Sequence, residues 1–241
     1  MKLLLDLGNT CLKWGIAQAG EFHVQAAVDY RDTVIERELQ AVWENLPSPE
    51  KLLLASVGKI SVKASVLSLA AELWPDCEIM QPVASAAAFG VTNAYQQPEK
   101  LGIDRWLALL AAHNHYPGSH KCIVDCGTAV TLDMLAADGV HLGGLICPGL
   151  QTMKTALAAN TAALQIQAGT TLFGLGDNTA AAIDNGTRFA IVGMIESLLN
   201  RQTEPYQLIV CGGDGPSIAG LLQRSYILDR ELVFKGLGLY G

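Results

Sequence analysis

The chain lacks clusters of basic residues and any long stretch that is charged, proline-rich or of low complexity. Without a Lys/Arg cluster it has no counterpart of the basic face that duplex-binding proteins use to neutralise phosphates. The net charge of −7 over 241 residues indicates an ordinary acidic surface. Half of the residues are apolar, which is enough for a sizeable core, and a charged fraction of 16% argues against intrinsic disorder. The length predicts one or two domains.

Metal-binding spacing is also missing. No CxxC pair occurs, and no Cys/His set has the spacing of a zinc site. Most cysteines lie in apolar runs, which predicts small buried side chains in a reducing compartment. The six cysteines are Cys11, Cys77, Cys122, Cys126, Cys147 and Cys211. His113, His115 and His120 lie close in sequence, but surface or core histidines are the better interpretation.

Segments for export or membrane insertion are not apparent either. The apolar run at the start ends at Asp6, too early for a signal peptide. Residues 155–176 are uncharged but rich in Thr, Gln, Asn and Gly, and are therefore too polar for a membrane span. We expect a cytoplasmic protein that binds neither membrane nor nucleic acid.

Short apolar runs that end in turns predict strands, and amphipathic segments between them predict helices. The predicted strands are 3–7, 12–17, 22–28, 51–57, 77–80, 121–126, 130–135, 140–146 and 208–211. The predicted helices are 32–45, 61–73, 104–116, 178–200 and 217–223. On the first helix, Val34, Ile35, Leu39 and Val42 form one apolar stripe. The pattern is that of an α/β protein.

The two halves of the chain resemble each other. Asp6-Leu-Gly-Asn-Thr10 and Asp125-Cys-Gly-Thr-Ala129 each end an apolar strand and begin a hairpin, 119 residues apart. Asp-x-Gly is a common turn, but the matching strands, hairpins and half-chain spacing favour a duplicated domain with a cleft between the copies. The loop-like segment 116–119 predicts a boundary that gives domains 1–117 and 118–241.

Both turns have residues suited to phosphates. Gly8 permits close approach of backbone N–H groups, and Lys13 can neutralise phosphate charge. Asp6 can hold Mg²⁺, which prefers oxygen ligands. In the second turn, strand alternation places Thr131 and Asp133 on one face, which predicts an oxygen-rich floor beside Asp125. A structural β-turn would have the same residue types.

Nucleotide loops of the common kinds are absent, since neither GxxxxGK[ST] nor a GxGxxG strand–helix turn occurs. Other candidates remain. Asp104 and Arg105 open a predicted helix, where Asp104 can accept a hydroxyl proton and Arg105 can clamp an anion. Thr179 begins the long helix and could donate to a substrate. The pair Gly212–Gly213 could pack under an adenine ring. A helix cap or a simple turn would explain each of them alone.

Taken in order, the motifs resemble those of the type III pantothenate kinase family. They are the turn at Asp6 with Lys13, Leu101-Gly-Ile-Asp-Arg105, the turn at Asp125 with Asp133, the glycine-rich segment 143–149, the helix start at 178–179 and the Gly212–Gly213 pair. Each motif is weak alone, but the ordered set is specific and spans residues 6–213. The resemblance implies α/β architecture with duplicated actin-like ATPase (ribonuclease H-like) domains and a cleft between them. It also implies ATP-dependent phosphorylation of pantothenate to 4′-phosphopantothenate, the first step of coenzyme A biosynthesis.

The resemblance also implies roles for single residues. Thr128 would bind ATP together with residues of the first turn, which are Asp6, Leu7, Gly8, Asn9, Thr10, Cys11, Leu12 and Lys13. Asp104 would be the proton acceptor. The pantothenate site would be lined by Tyr95, Gly102, Ile103, Asp104, Arg105 and Thr179. Asp125 matches a position that holds a monovalent cation, K⁺ or NH₄⁺, and Mg²⁺ would accompany ATP. A homodimer is implied, with the substrate site near the subunit interface.

Two other functions stay open at this level. A regulatory protein could keep the fold without the activity, although Asp6, Asp104, Arg105 and Asp125 are all present and favour an enzyme. A kinase for another small hydroxy acid or sugar is the second alternative, against which the ordered motifs argue.

Overall fold

The computed structural model of the chain describes residues 1–18, 21–31, 33–160 and 173–241. Its strands are β1 Lys2–Leu7, β2 Cys11–Gln18, β3 Glu21–Asp29, β4 Lys51–Ser56, β5 Glu78–Met80, β6 Ala87–Ala88, β7 Val91–Thr92, β8 His120–Cys126, β9 Ala129–Leu135, β10 His141–Pro148, β11 Tyr206–Cys211 and β12 Ile227–Leu228. Its helices are α1 Ile35–Trp43, α2 Ile60–Leu73, α3 Ile103–His115, α4 Leu150–Ala159, α5 Thr179–Asn200, α6 Gly215–Ala219 and α7 Leu232–Gly238, with a 3₁₀ turn at Pro98–Lys100.

The chain forms two compact units, Met1–Asn114 with Glu231–Gly241, and His115–Arg230. The helix α7 belongs to the first unit, where it contacts β1 and β4. Gly236 lies so close to the backbone of Leu107 on α3 that a Cβ would be 2.6 Å from the Leu107 carbonyl carbon. Residues Glu231–Gly241 therefore pack with the first compact unit, whereas the sequence had placed them in the second domain. The division into domains 1–117 and 118–241 stays a prediction.

The first unit is built on a five-stranded sheet of order β3-β2-β1-β4-β5. The first three strands are antiparallel neighbours, and β4 and β5 run parallel to β1. One face of the sheet packs on α1 and α2 around three tryptophans. The ring of Trp43 lies 5.4 Å from that of Trp74 and 6.2 Å from that of Trp14, and this cluster fixes the helices on the sheet.

The apolar stripe of α1 differs from the predicted one. Ile35, Leu39 and Trp43 are buried, whereas Val34 is 56% exposed and Val42 is 46% exposed. The buried residues follow an i, i+4, i+8 row, and the row is set by Trp43 inserting between the other two tryptophans. The predicted first residue of this helix, Asp32, lies outside the described residues.

The second unit repeats the same architecture. Its sheet has the order β10-β9-β8-β11-β12, with three antiparallel strands followed by two that run parallel to β8. One face packs on α4, α5 and α6. The strands β8 to β12 correspond one for one to β1 to β5 in position and direction. The predicted α/β duplication is confirmed at the level of topology.

Some elements had not been predicted, or have other bounds. The helices α4 and α7 and the short strands β6, β7 and β12 were missed, and the helix expected at 217–223 is Gly215–Ala219. Among the described residues, no helix is both long and apolar enough to cross a bilayer. Residues 161–172, which form part of the uncharged stretch, lie outside the described residues.

Candidate active site

The hairpin between β1 and β2 places Asp6 beside Lys13. The two residues are directly opposite each other in the antiparallel register, and Ala55 of β4 flanks Asp6 on its other side. Side chains opposite each other in such a ladder point to the same face. The sequence had paired these residues only by proximity, and the strand register provides the geometric reason.

The turn after Asp6 is held by several backbone contacts. Gly8 N–H donates to the carbonyl of Cys11 at 3.0 Å, and the Tyr30 hydroxyl donates to the carbonyl of Gly8. Gly58, which follows β4, lies against the turn, since a Cβ there would be 2.5 Å from the Gly8 carbonyl oxygen. The turn can therefore present backbone N–H groups from a fixed position, as a phosphate site requires.

Among the residues predicted to bind ATP, the side chains of Leu7 and Leu12 are fully buried in the core. Only their backbone could contact a nucleotide. The exposed residue of this turn is Asn9, while Thr10 and Cys11 are half-buried. Burial raises the pKa of the Cys11 thiol, against the opposing effect of Lys13, so the thiol stays protonated.

The second hairpin places Asp125 between Thr131 of β9 and Cys211 of β11. Its turn is closed by a bond from Gly127 N–H to the carbonyl of Ala129 at 3.0 Å. Thr128 is exposed at the tip. In the second sheet, Asp125 and its turn thus have the same position as Asp6 and its turn have in the first sheet.

The start of α4 holds the tip of this second turn. The carbonyl of Thr128 accepts two hydrogen bonds, from Gly149 N–H at 2.9 Å and from the Thr152 hydroxyl at 2.6 Å. Gly149 packs against the backbone of Gly127 and Thr128, where a Cβ would lie 2.8 Å from the Thr128 carbonyl oxygen. The glycine-rich segment 143–149 therefore serves a close backbone approach at its last residue.

The loop after β11 packs against the same turn. Gly212 has φ of 85°, and a Cβ there would overlap the Asp125 carboxylate and the Cys126 carbonyl. Asp214 N–H donates to that carbonyl at 2.9 Å. Burial raises the pKa of the Cys126 thiol to about 12, with the charges of Asp125 and Asp214 adding to the effect. This thiol is a neutral core group, as the apolar run predicted.

A cluster of charged side chains lies near α4 and α5 and consists of Lys154, Asp184, Arg188 and Asp214. Lys154 pairs with the buried Asp184, whose other oxygen lies 2.9 Å from Arg188. Burial raises the pKa of Asp214, and the Lys154 ammonium partly opposes this shift. The cluster joins α4, which holds the Thr128 turn, to α5.

Asp133 does not lie at the floor of the second turn. It shares a face with Thr131 as predicted, but it is 2% exposed and lies 2.9 Å from the ring of the buried His141. The pair connects β9 to β10 inside the unit. Strand alternation identifies the face of a side chain but not what covers that face.

The segment before α3 brings three predicted substrate residues together. Arg105 is buried, and its Nη1 donates to the Tyr95 hydroxyl at 2.9 Å. Asp104 is half-buried in the first turn of α3, where its Oδ1 accepts from the backbone N–H of Arg105 at 2.8 Å. The helix begins at Ile103, so Asp104 is inside the helix rather than its predicted cap.

Gly102 leaves room for the Asp104 carboxylate. A Cβ at Gly102 would be 2.5 Å from Asp104 Oδ1. The side chain of Ile103 is buried, so this residue can contact a ligand chiefly through its backbone. The helix N-terminus, the half-buried carboxylate and the buried guanidinium form a small site suited to an anionic molecule with a hydroxyl group.

Thr179 is the first residue of α5 and is exposed. Asn178 caps the helix, since its side chain accepts from Ala181 N–H at 3.0 Å. Thr179 lines a mainly apolar cavity of about 870 Å³ between α4 and α5. The other lining residues include Met153, Leu157 and Ile183. Thr179 is thus available to a ligand or a partner surface.

No group of three or more His, Cys, Asp or Glu side chains within the described ranges is placed to hold a metal ion. A nucleotide-bound Mg²⁺ needs fewer protein ligands, because it keeps several waters and takes phosphate oxygens. A single carboxylate such as that of Asp6, or Asp125 with nearby carbonyls for a monovalent cation, is a donor set of the right chemistry.

A family model described as type III pantothenate kinase matches residues 2–201. The chain belongs to the type III pantothenate kinase family. The type III pantothenate kinase of Nitrosococcus oceani is 36% identical over 246 residues, which cover 98% of this chain and 92% of that protein. The type III pantothenate kinase of Acidovorax ebreus is 36% identical over 247 residues, covering 98% and 94%.

Solved structures agree with the fold of this family member. A Campylobacter jejuni protein that bears the name of a Baf family transcriptional activator matches with a TM-score of 0.63 at 22% identity, covering 98% of this chain and 96% of that one. The activator of 2-hydroxyisocaproyl-CoA dehydratase from Clostridium difficile, with bound ADPNP, has a TM-score of 0.54 at 14% identity, covering 99% and 93%. These likenesses concern the fold alone, and the predicted actin-like ATPase class is confirmed.

Several residues of the site were not predicted from the sequence. Tyr30, Gly58, Asn93 and Thr152 make contacts that hold the predicted residues in place. Gly58 could have been found, since it follows β4 as Gly212 follows β11. Tyr30 and Thr152 carry no signal in a single sequence, because their partners are backbone carbonyls distant along the chain. The partners of Asn93 are nearer, and its bond from Tyr95 N–H spans only two residues, as in a local Asx turn.

Proposed function

We propose that this type III pantothenate kinase transfers the γ-phosphoryl group of ATP to the primary hydroxyl of pantothenate. The product is 4′-phosphopantothenate, and the reaction is the first step of coenzyme A biosynthesis. The observation that carries the proposal is the arrangement of Tyr95, Asp104 and Arg105, in which a general base and an anion clamp lie side by side. Family membership supports the substrate, and the ATPase fold supports ATP with a divalent cation.

Asp104 is the proposed proton acceptor. Its carboxylate is half-buried, which leaves it accessible to a hydroxyl, and the bond from Arg105 N–H orients it. A kinase needs such a base to take the proton of the attacking hydroxyl. We propose that Arg105 and Tyr95 orient pantothenate, with its carboxylate paired to the guanidinium. Gly102 and Ile103 contribute backbone at the helix start, and Thr179 contributes its hydroxyl.

The two hairpin turns are proposed to hold the nucleotide. The Gly8–Thr10 backbone and Lys13 are the proposed phosphate contacts of the first turn, and Thr128 is the proposed nucleotide contact of the second. Asp6 is the proposed carboxylate for Mg²⁺, which neutralises phosphate charge when it is bound. Most of the rate enhancement would then come from positioning and charge stabilisation. Asp125 is proposed to hold K⁺ or NH₄⁺ at the base of the second turn.

We also propose that the protein is a homodimer with the substrate site near the interface. The edge strand β10 exposes Leu142, Leu145 and Ile146, and the apolar cavity beside Thr179 is on the same unit. Exposed apolar edges favour association. Sedimentation equilibrium should give twice the mass of the chain, and full activity from a monomer would contradict the proposal.

The direct test of function is ADP formation from ATP and Mg²⁺, with and without pantothenate, and with K⁺ replaced by Na⁺. Chromatographic detection of ADP avoids coupling enzymes that themselves need K⁺. We expect ADP to form at least tenfold faster with pantothenate, together with a phosphorylated product seen by mass spectrometry. We expect the rate to fall by about tenfold or more in Na⁺ alone.

Each arm has its own contradicting outcome. Equal ADP formation with and without pantothenate would refute the kinase proposal, and a rate enhancement with another hydroxy acid instead would identify a different substrate. No nucleotide turnover with any acceptor would favour a regulatory protein. An unchanged rate in Na⁺ would remove the monovalent cation from Asp125 and leave the kinase proposal intact.

A further inference from the structure

A small hairpin precedes the substrate segment. It consists of β6 and β7, joined by Phe89 with φ of 46° and Gly90 with φ of 83°. Two successive residues with positive φ are typical of the type I′ turn that joins tight hairpins. Asn93 follows β7 directly, two residues before Tyr95. The tight turn therefore fixes the path of the backbone that leads into the substrate segment.

The side chain of Asn93 gathers three separate pieces of backbone. Its Nδ2 donates to the carbonyl of Ser85 at 3.2 Å and to that of Pro98 at 3.3 Å, while its Oδ1 accepts from Tyr95 N–H at 3.0 Å. Its own N–H donates to the Ala86 carbonyl at 2.9 Å. The entry to the hairpin, the exit from it and the 3₁₀ turn before α3 are thus joined through one carboxamide.

Only asparagine fits this set of partners. The two carbonyls need donors and the Tyr95 N–H needs an acceptor, and the Asn carboxamide offers both on a short side chain. Aspartate would accept from Tyr95 but would set oxygen against oxygen at Ser85 and Pro98. The orientation of the amide is fixed by the same reasoning, because a carbonyl can only accept.

The contacts continue from Asn93 to the proposed reacting groups. Tyr95, whose backbone Asn93 holds, accepts from the guanidinium of Arg105, and Arg105 N–H donates to the Asp104 carboxylate. The guanidinium of Arg105 also lies over the Tyr95 ring, 5.7 Å from its centre. A shift of Tyr95 would therefore move the anion clamp beside the base.

We infer that Asn93 is a positioning residue for the pantothenate site, acting through Tyr95 on Arg105. The identity of the substrate in this inference rests on the proposed function. The three hydrogen bonds of Asn93 are independent of it. Asn93 sets how well the acid substrate is held and has no part in nucleotide binding. Its removal should therefore separate the two substrates kinetically.

The experiment compares Asn93→Ala and the isosteric Asn93→Asp with a matched control, Asn45→Ala. The control removes an exposed carboxamide just after α1, which donates to the carbonyl of Ala41 in that helix at 3.2 Å. Both Asn93 variants should raise KM for pantothenate by about tenfold, with KM for ATP within twofold of wild type. The control should leave both constants unchanged.

A double-mutant cycle with Tyr95→Phe tests the route of action. If Asn93 acts through Tyr95, the double variant should raise KM for pantothenate no more than about twofold beyond the larger single effect. Additive effects, an equal rise of KM for ATP, or an unchanged KM for pantothenate in a folded Asn93 variant would each overturn the inference.

A measurement without turnover keeps this test separate from the kinase proposal. Protein labelled with 3-fluorotyrosine gives a fluorine resonance for Tyr95, assigned by its loss in Tyr95→Phe. That resonance should shift or broaden in Asn93→Asp and stay in place in Asn45→Ala. No change in Asn93→Asp would overturn the positioning role, even if wild type proved active on pantothenate. If the Tyr95 resonance changes in Asn93→Asp but the wild-type protein does not phosphorylate pantothenate, the positioning role stands and only the proposed substrate is refuted.

Discussion

Asp104→Asn is expected to lower kcat by about 10³-fold, with KM for both substrates within about twofold of wild type. The amide keeps the shape of the carboxylate and can still accept from Arg105 N–H through its Oδ1, so the site should stay assembled. What it loses is the ability to take the proton of the attacking hydroxyl. Steady-state ADP formation at saturating ATP and pantothenate measures the effect.

Glu99→Gln is the matched control for that variant. Glu99 is exposed in the 3₁₀ turn immediately before α3, so the substitution removes one negative charge from the same segment without touching the base. Its kcat should stay within twofold of wild type. A near-normal kcat for Asp104→Asn would remove Asp104 from the role of base, and an equal loss in Glu99→Gln would point to charge rather than proton transfer.

Gly212→Ala is expected to lower the thermal unfolding midpoint by on the order of 5–10 °C, since a loss of 1 kcal/mol shifts a chain of this size by about 2–4 °C. Alanine in the left-handed region costs about 1 kcal/mol. Its Cβ would also overlap the Asp125 carboxylate and lie 2.6 Å from the carbonyl carbon of Cys126, and overpacking of this kind costs about 1–3 kcal/mol. Relief requires Asp125 or the turn to move.

The adjacent glycine provides the control. Gly213 has nothing within 4 Å of where a Cβ would lie, so Gly213→Ala should melt within about 1–2 °C of wild type. In Gly212→Ala we also expect a loss of K⁺-stimulated activity that persists at low temperature, because Asp125 is displaced in protein that is still folded. Equal melting of the two variants would show that Gly212 does not support the Asp125 turn.

The two hairpin turns show where sequence reasoning succeeded. Asp6 and Asp125 are each the penultimate residue of a buried strand that enters a hairpin, and both sheets have the same strand order. Local signals were sufficient here, since a run of apolar residues followed by Asp-x-Gly defines both the strand and its end. The start of α5 near Asn178 and Thr179 was also predicted, and the structure shows that Asn178 is the capping residue.

The wrong predictions concern which face of a strand or helix is buried, and by which residues. Alternation put Asp133 beside Thr131 correctly, yet the side chain is enclosed with His141 from the neighbouring strand. On α1 the buried row runs through Trp43 rather than Val34 and Val42, because two tryptophans from other elements receive it. Helical and strand periods define which side chains share a face, and partners distant in sequence decide which face is buried.

By itself, the sequence determined the strands that end at Asp6 and Asp125, the helix that begins near Asp104, and the duplication that joins the halves. These depend on apolar runs, glycines and capping residues that act within a few positions. Only the tertiary structure decided that Asn93 joins Ser85 to Pro98, that Thr152 and Gly149 hold Thr128, and that Gly212 packs on Asp125. The physical reason is that backbone carbonyls and close approaches have no residue code, so their partners are settled when the chain packs.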